Sequence, residues 1–86
     1  MYKISDQVMS TEVGSDIIVL NLNDGEYYGL THLSKEIWKT IESNTSIEEL
    51  IKEVHMNSGM DYETVSKDFI DCIDQLKEMG LIIEIV

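Results

Sequence analysis

The hydrophobic residues of this chain change their spacing once, near Thr31. Before this residue, apolar side chains alternate with polar ones or form short β-branched runs, which is typical of strands. After it, apolar side chains recur every three to four residues, which is typical of amphipathic helices. Because a chain of 86 residues is long enough for one core, we expect a single α+β domain over residues 1–86, with a sheet followed by helices.

Three strands are predicted before the change of spacing, at residues 8–13, 16–22 and 26–30. Gly14-Ser15-Asp16 separates the first two strands and Asn23-Asp24-Gly25 separates the last two, and both segments suit tight hairpin turns. The predicted sheet is therefore a three-stranded antiparallel meander. If its strands lie side by side in sequence order, the third is an edge strand with unpaired backbone N–H and C=O groups.

Three helices are predicted after the sheet, each from its cap as well as its apolar stripe. Thr31 suits the N-cap of the first, Ser46 forms a capping box with Glu49 at the start of the second, and Asp61 caps the third. Gly80 suits the position just after the third helix. The apolar stripes comprise Leu33, Ile37, Trp38 and Ile41; Ile47, Leu50, Ile51 and Val54; and Val65, Phe69, Cys72, Ile73, Leu76 and Met79.

The order of these elements predicts a winged helix-turn-helix. The second and third helices form the helix-turn-helix, and the N-terminal sheet takes the position of the wing. Residues 81–86 form a terminal apolar segment that is compatible with a further strand.

The net charge of −11 restricts the partners that this chain can have. Six basic residues are scattered among seventeen acidic ones, so phosphate backbones would be repelled and we expect no nucleic-acid binding. The apolar runs at residues 17–20 and 81–83 are too short to span a bilayer, and the N-terminus does not read as a signal peptide. We therefore expect a cytoplasmic protein with no membrane association.

No catalytic or metal-binding group is predicted. Cys72, the single cysteine, lies on the apolar stripe of the third helix between Phe69 and Leu76, where a thiol is inert. His32 and His55 have no neighbour at metal-ligand spacing. We expect a protein that is not an enzyme and that holds no cofactor and no metal.

The third predicted strand has few of the features that protect an edge strand from pairing. It has no lysine and no proline, Glu26 is its only charge, and Gly29 allows close approach of another backbone. These features suit strand addition by an extended peptide. The residues also fit a packed hairpin, in which Tyr28 and Leu30 point inward and Tyr27 covers the outer face. The pattern alone leaves both alternatives open.

Three segments of the chain together resemble the PqqD-like family: "LNLNDGEYYGLTHLSKEIWKTI", "SIEELIKEV" and "VSKDFIDCIDQLKEMGLI". Members of this family are the recognition elements of ribosomally synthesised, post-translationally modified peptides. The resemblance covers roughly residues 8–82 and rests on the order of its parts, since no single motif is diagnostic. The family's usual asparagine after the leucine is Thr31 here, which can still cap the first helix.

The resemblance implies a non-catalytic peptide chaperone that binds the leader segment of a precursor peptide. The leader would add as a strand to the third strand and lie in a groove between that strand and the third helix. Asp68 and neighbouring acids would then pair with a basic leader residue. The implied peptide-binding residues are Glu26, Tyr27, Tyr28, Gly29 and Leu30 on the strand, and Asp68, Cys72, Gln75 and Met79 on one border of the third helix. The opposite border comprises Ser66, Ile70, Ile73 and Lys77.

The resemblance also indicates a pathway. The chain is similar to the discrete recognition proteins of lasso-peptide clusters, in which the partners would be the precursor's leader and a leader peptidase. A chaperone of the PQQ type with a radical-SAM enzyme as partner is the alternative within the family. From a different class, an acidic winged-helix module for protein interaction or regulation remains open.

Overall fold

The three-stranded meander and the three helices that follow it are present in the structure, a computed structural model that describes residues 1–85. Two further strands, which join the ends of the chain, accompany them. The elements are β1 (Tyr2–Ile4), β2 (Val8–Val13), β3 (Asp16–Asn21), β4 (Tyr27–Leu30), α1 (His32–Glu42), α2 (Ile47–Ser58), α3 (Tyr62–Glu78) and β5 (Ile82–Glu84).

The meander has the predicted order β2-β3-β4, with both pairs antiparallel. Gly25 adopts a φ of 73° in the second turn, and its N–H donates to the Asn21 carbonyl at 2.8 Å. The backbone N–H of Glu26 donates to Asp24 Oδ1 at 2.8 Å. β4 begins at Tyr27 rather than at the predicted Glu26, although the Glu26 carbonyl still accepts from the Asn21 N–H at 2.9 Å. The asparagine, aspartate and glycine of this turn therefore act as their residue types predict.

The pairing of β1 with β5 was not predicted. Tyr2 lies opposite Glu84 in this two-stranded antiparallel sheet, and the Ile85 N–H donates to the Met1 carbonyl at 2.7 Å. Each strand has only three residues, too few to show a period of two. The predicted terminal apolar segment is thus partly a strand, while Val86 lies outside the described residues.

Thr31 and Ser46 occupy the predicted N-cap positions of α1 and α2, and one of the two hydrogen bonds of the predicted Ser46–Glu49 capping box is present. Ser46 Oγ accepts from the Glu49 N–H at the start of α2, and the Thr31 N–H donates to Ser34 Oγ at the start of α1. Asp61 occupies the N-cap position of α3 without a capping hydrogen bond from its side chain. Its carboxylate still lies where the helix dipole favours negative charge. Gly80 follows α3 with a φ of 76°, as the predicted end of that helix requires.

The core lies between the inner face of the meander and the helices α1 and α3. Its buried apolar residues are Ile17, Val19, Leu30, Ile37, Trp38, Ile41, Val65, Phe69, Ile73, Leu76, Leu81 and Ile82. Cys72 and Met79, which were predicted to be buried, are half-buried instead. They lie at one border of the α3 stripe, where a helix surface curves away from the core.

Two lysines connect α1 to the meander. Lys35 Nζ donates to the Ser15 carbonyl at 2.8 Å, and Lys39 Nζ lies 3.5 Å from Glu12 Oε1. These contacts lie at the end of the sheet that carries the β2–β3 turn, and because Leu30 pairs with Ile17, β4 leads into α1 at that same end. They fix α1 to the meander at this end.

Candidate functional site

The outer edge of β4 is the central feature of the candidate site. β4 pairs with β3 on one side, and within residues 1–85 no strand pairs with its other side. The predicted edge strand is therefore confirmed as an edge. Its residues, Tyr-Tyr-Gly-Leu, include no charge, no lysine and no proline, so nothing in the strand itself opposes the addition of another strand.

The side chains of β4 alternate between the core and the outer face. Leu30 is 2% exposed and anchors the strand in the core, whereas Tyr27 is 70% exposed on the opposite face. Tyr28 is half-buried on the inner face, and its hydroxyl donates to Asp24 Oδ2 at 3.2 Å. Partial burial and the negative charges of Asp24 and Glu26 raise the pKa of the Tyr28 phenol. Because the phenol remains protonated at neutral pH, it acts as a hydrogen-bond donor to the turn.

Gly29 is the one glycine of this chain with an ordinary extended conformation. The other four glycines have positive φ angles. A Cβ atom added at Gly29 would meet only Ile18 Cδ1, at an ordinary contact distance of 3.8 Å. Neither the backbone conformation nor the packing of the folded chain therefore requires glycine here.

The two borders of α3 have different surroundings. Lys77 Nζ donates to Glu84 Oε1 at 3.0 Å, which places the border of Ser66, Ile70, Ile73 and Lys77 beside the terminal sheet. The opposite border, with Asp68, Cys72, Gln75 and Met79, consequently faces away from β5. Asn21 Nδ2 donates to the Met79 carbonyl at 3.0 Å, so the end of α3 is fixed against β3. The role of the second border as a groove wall stays a prediction.

The thiol of Cys72 is half-buried, and the imidazole of His55 contacts neighbouring residues of the same chain. Cys72 is half-buried, and its burial raises the pKa of the thiol, which disfavours the nucleophilic thiolate. His55 Nδ1 lies 2.7 Å from the Met60 carbonyl, and the ring meets Tyr62 edge-on at 5.5 Å. Within residues 1–85 there is no group of three or more metal-ligating side chains, and no helix is long and apolar enough to cross a membrane.

A cleft on the other side of α3 was not predicted from the sequence. Its volume is about 860 Å³, and it lies between the N-terminus, the α1–α2 turn, α2 and α3. Ile70 borders this cleft and is 56% exposed. In the sequence, Ile70 is an apolar residue beside the α3 stripe, and periodicity alone does not distinguish such a residue from a core residue.

Comparisons with known proteins show what this arrangement resembles. The family model of coenzyme PQQ synthesis protein D (PqqD) matches residues 16–82. A solved structure of TbiB1 in complex with the TbiA(beta) leader peptide is 28% identical, with a TM-score of 0.84 over 98% of both chains. A second structure, lasso peptide synthetase B1 complexed with the leader peptide, has a TM-score of 0.85 at 14% identity, over 96% of this chain and 98% of the other. No curated protein matches significantly.

Proposed function

This chain belongs to the family of coenzyme PQQ synthesis protein D (PqqD), and from that premise we propose that it is a non-catalytic adaptor for precursor peptides. It binds the leader segment of a ribosomally synthesised precursor and presents that precursor to a maturation enzyme. The free edge of β4 is the observation that carries the proposal. The likeness over 98% of both chains to TbiB1, whose structure holds a leader peptide, supports it.

The leader binds by strand addition to β4. The outward N–H and C=O groups of residues 27–30 supply the hydrogen bonds, each of which contributes about 1 kcal/mol net. Glu26 extends the edge at the turn, and Leu30 holds β4 in the core, so the edge is ordered before the peptide arrives. An edge that is ordered in advance lowers the entropy cost of binding, because only the peptide has to be fixed.

The border of α3 that carries Asp68, Cys72, Gln75 and Met79 forms the other wall of the groove. Its half-buried Cys72 and Met79 pack against the core and still present part of their surface. Asp68 is exposed, so its carboxylate is available to a basic leader residue. Such a contact at the rim contributes more to the association rate than to affinity.

The maturation enzyme is a leader peptidase of a lasso-peptide pathway. The resemblance to the discrete recognition proteins of lasso-peptide clusters supports this choice, and this chain shares its fold with a lasso peptide synthetase B1. A PQQ-type chaperone that serves a radical-SAM enzyme is the second candidate, because the family model that matches is the one described for coenzyme PQQ synthesis. A radical-SAM gene beside this one, instead of genes for a peptidase and a cyclase, would favour the second candidate.

Titration with synthetic leader peptides, encoded beside the gene, tests the proposal. We expect saturable binding to the intended leader and none to a scrambled peptide of the same composition. Affinity no tighter than roughly 1 mM, about −4 kcal/mol, would contradict leader binding. Amide exchange should slow at residues 26–30 in the complex, and protection that appears elsewhere instead would reject strand addition.

A further inference from the structure

The sequence of β3 is that of a strand covered on both faces. Four consecutive apolar residues, Ile17 to Leu20, occupy its centre, and such continuous runs are typical of strands that are buried on both sides. In the structure only one face is covered: Ile17 and Val19 are 3% and 0% exposed, whereas Ile18 and Leu20 on the other face are half-buried. A covering element for the second face is therefore missing from the described chain.

The neighbouring strands continue this uncovered surface. Met9 of β2 and Tyr27 of β4 lie on either side of Leu20, which makes an apolar row across all three strands. Met9, Val13 and Tyr27 are 63%, 58% and 70% exposed. We call the surface formed by these side chains the outer apolar face; it comprises Met9, Val13, Ile18, Leu20 and Tyr27, with the exposed Thr11 between Met9 and Val13.

The outer apolar face is almost uncharged on a molecule with a net charge of −11. By the strand register, Asp16 is the one charged residue of β2, β3 and β4 on this face. Exposed antiparallel sheet faces normally carry polar residues, and contiguous exposed apolar surface marks interaction sites. The composition of the face therefore points to a macromolecular partner.

A leader peptide cannot cover this face. A strand added to β4 lies beside it in the plane of the sheet, at about 4.8 Å, and each further strand adds the same spacing. Such a peptide reaches Tyr27 but not Met9 or Val13 of β2, two strands away. A second copy of this chain is disfavoured because both copies carry a net charge of −11 and would repel each other.

We propose that the outer apolar face is the docking surface for the maturation enzyme that acts on the bound leader. The enzyme contributes an apolar surface bordered by basic residues, which complements the uncharged face and the acidic molecule around it. Tyr27 belongs to both the β4 edge and the face, so an enzyme seated there touches the leader strand directly. This inference rests on the proposed function, whose partner surface it identifies.

The variant that tests the inference combines Met9→Gln with Val13→Thr. Both side chains are more than half exposed and lie on the strand farthest from β4, so the fold and the leader site are left intact. Met56→Gln is the matched control, since Met56 is 80% exposed on α2, away from the sheet. The measurement is the affinity of each leader-loaded protein for the leader peptidase encoded beside the gene, with thermal unfolding recorded for each variant.

We expect the double variant to bind the peptidase at least about tenfold more weakly, with leader affinity and thermal unfolding unchanged, and Met56→Gln to behave as the wild type. Unchanged peptidase affinity would overturn the inference. Parallel loss of leader affinity would overturn it as well, by assigning the face to the leader. Wild-type self-association that the double variant removes would assign the face to a second copy. If the wild-type protein fails to bind leader at all, the proposed function falls, and this inference with it.

Discussion

At the scale of single residues, Gly29 is the position where a substitution tests the candidate site most directly. A glycine in a strand weakens it through backbone entropy and the absence of a side chain to pack. The folded chain offers no compensation here, since a Cβ atom would meet only Ile18 Cδ1 at 3.8 Å. A residue that costs stability without a structural reason is expected at a binding surface.

Gly29→Val should separate stability from binding. We expect the free energy of unfolding to stay the same or rise by up to about 1 kcal/mol, because valine favours extended backbone. Leader affinity should fall roughly tenfold, about 1.4 kcal/mol, since the new side chain crowds the adjacent strand. Urea unfolding and leader titration measure the two effects.

Thr11→Val is the matched control for this substitution. Thr11 and Gly29 flank Ile18 in the same cross-strand row, but Thr11 lies on the strand farthest from the edge. It should leave leader affinity unchanged. Equal affinity of the Gly29→Val and wild-type proteins would show that the missing side chain has no part in leader binding.

At the scale of secondary structure, α3 illustrates how far periodicity reaches. Its apolar stripe, its start after Asp61 and its end before Gly80 were all predicted. Which border of the stripe faces the meander was not, because both borders follow the same period and differ only in what packs beside them. The Lys77–Glu84 contact shows that the border carrying Lys77 lies beside β5.

Alkylation of Cys72 tests whether the other border lines the leader groove. Because burial raises the pKa of this thiol, we expect slow reaction with a maleimide or iodoacetamide at neutral pH. Bound leader should slow it further by covering the half-buried side chain. The rate of modification, followed by mass spectrometry with and without leader, is the measurement.

Ile70→Cys in a Cys72→Ser background provides the comparison. Ile70 is 56% exposed on the opposite border, so its thiol should react at the same rate with and without leader. Protection at position 70 in place of position 72 would put the leader in the 860 Å³ cleft and reject the predicted border.

At the scale of the whole molecule, net charge is the property that acts over the longest distance. A charge of −11 on 86 residues steers basic ligands toward the protein and repels acidic ones. This field affects the rate of encounter more than the lifetime of a complex. It also bears on specificity, because a leader rich in acidic residues would associate more slowly than a basic one.

Salt should therefore slow the association of a basic leader. We expect the association rate constant to fall as ionic strength rises from about 0.01 to 0.1 M, over which the screening length shrinks from about 30 to 10 Å. The dissociation rate constant should change little. Asp68→Asn should reduce the slope slightly without altering dissociation. Stopped-flow fluorescence measures both constants, and an association rate that does not vary with salt would exclude electrostatic steering.

Some features of this fold are determined by neighbouring residues, and others by contacts between distant segments. The turn at residues 23–25, the caps of α1 and α2, the three helices and the meander are encoded by neighbouring residues, through turn chemistry, capping and hydrophobic period. An open edge at β4 and a family resemblance were likewise within reach of the residue pattern. The turn, the caps and the hydrophobic period depend on interactions that span only a few positions of the chain.

Other features required the folded chain. The pairing of β1 with β5 joins the two ends of the molecule, the surroundings of each α3 border depend on β5, and the cleft beside Ile70 is formed by four separate segments. The run from Ile17 to Leu20 is apolar on both faces of β3, yet only tertiary packing shows that one face is left open. Contacts between distant segments leave no periodic trace in a sequence, so the surroundings of the α3 borders, the cleft and the open face of β3 are seen only once the elements are packed together.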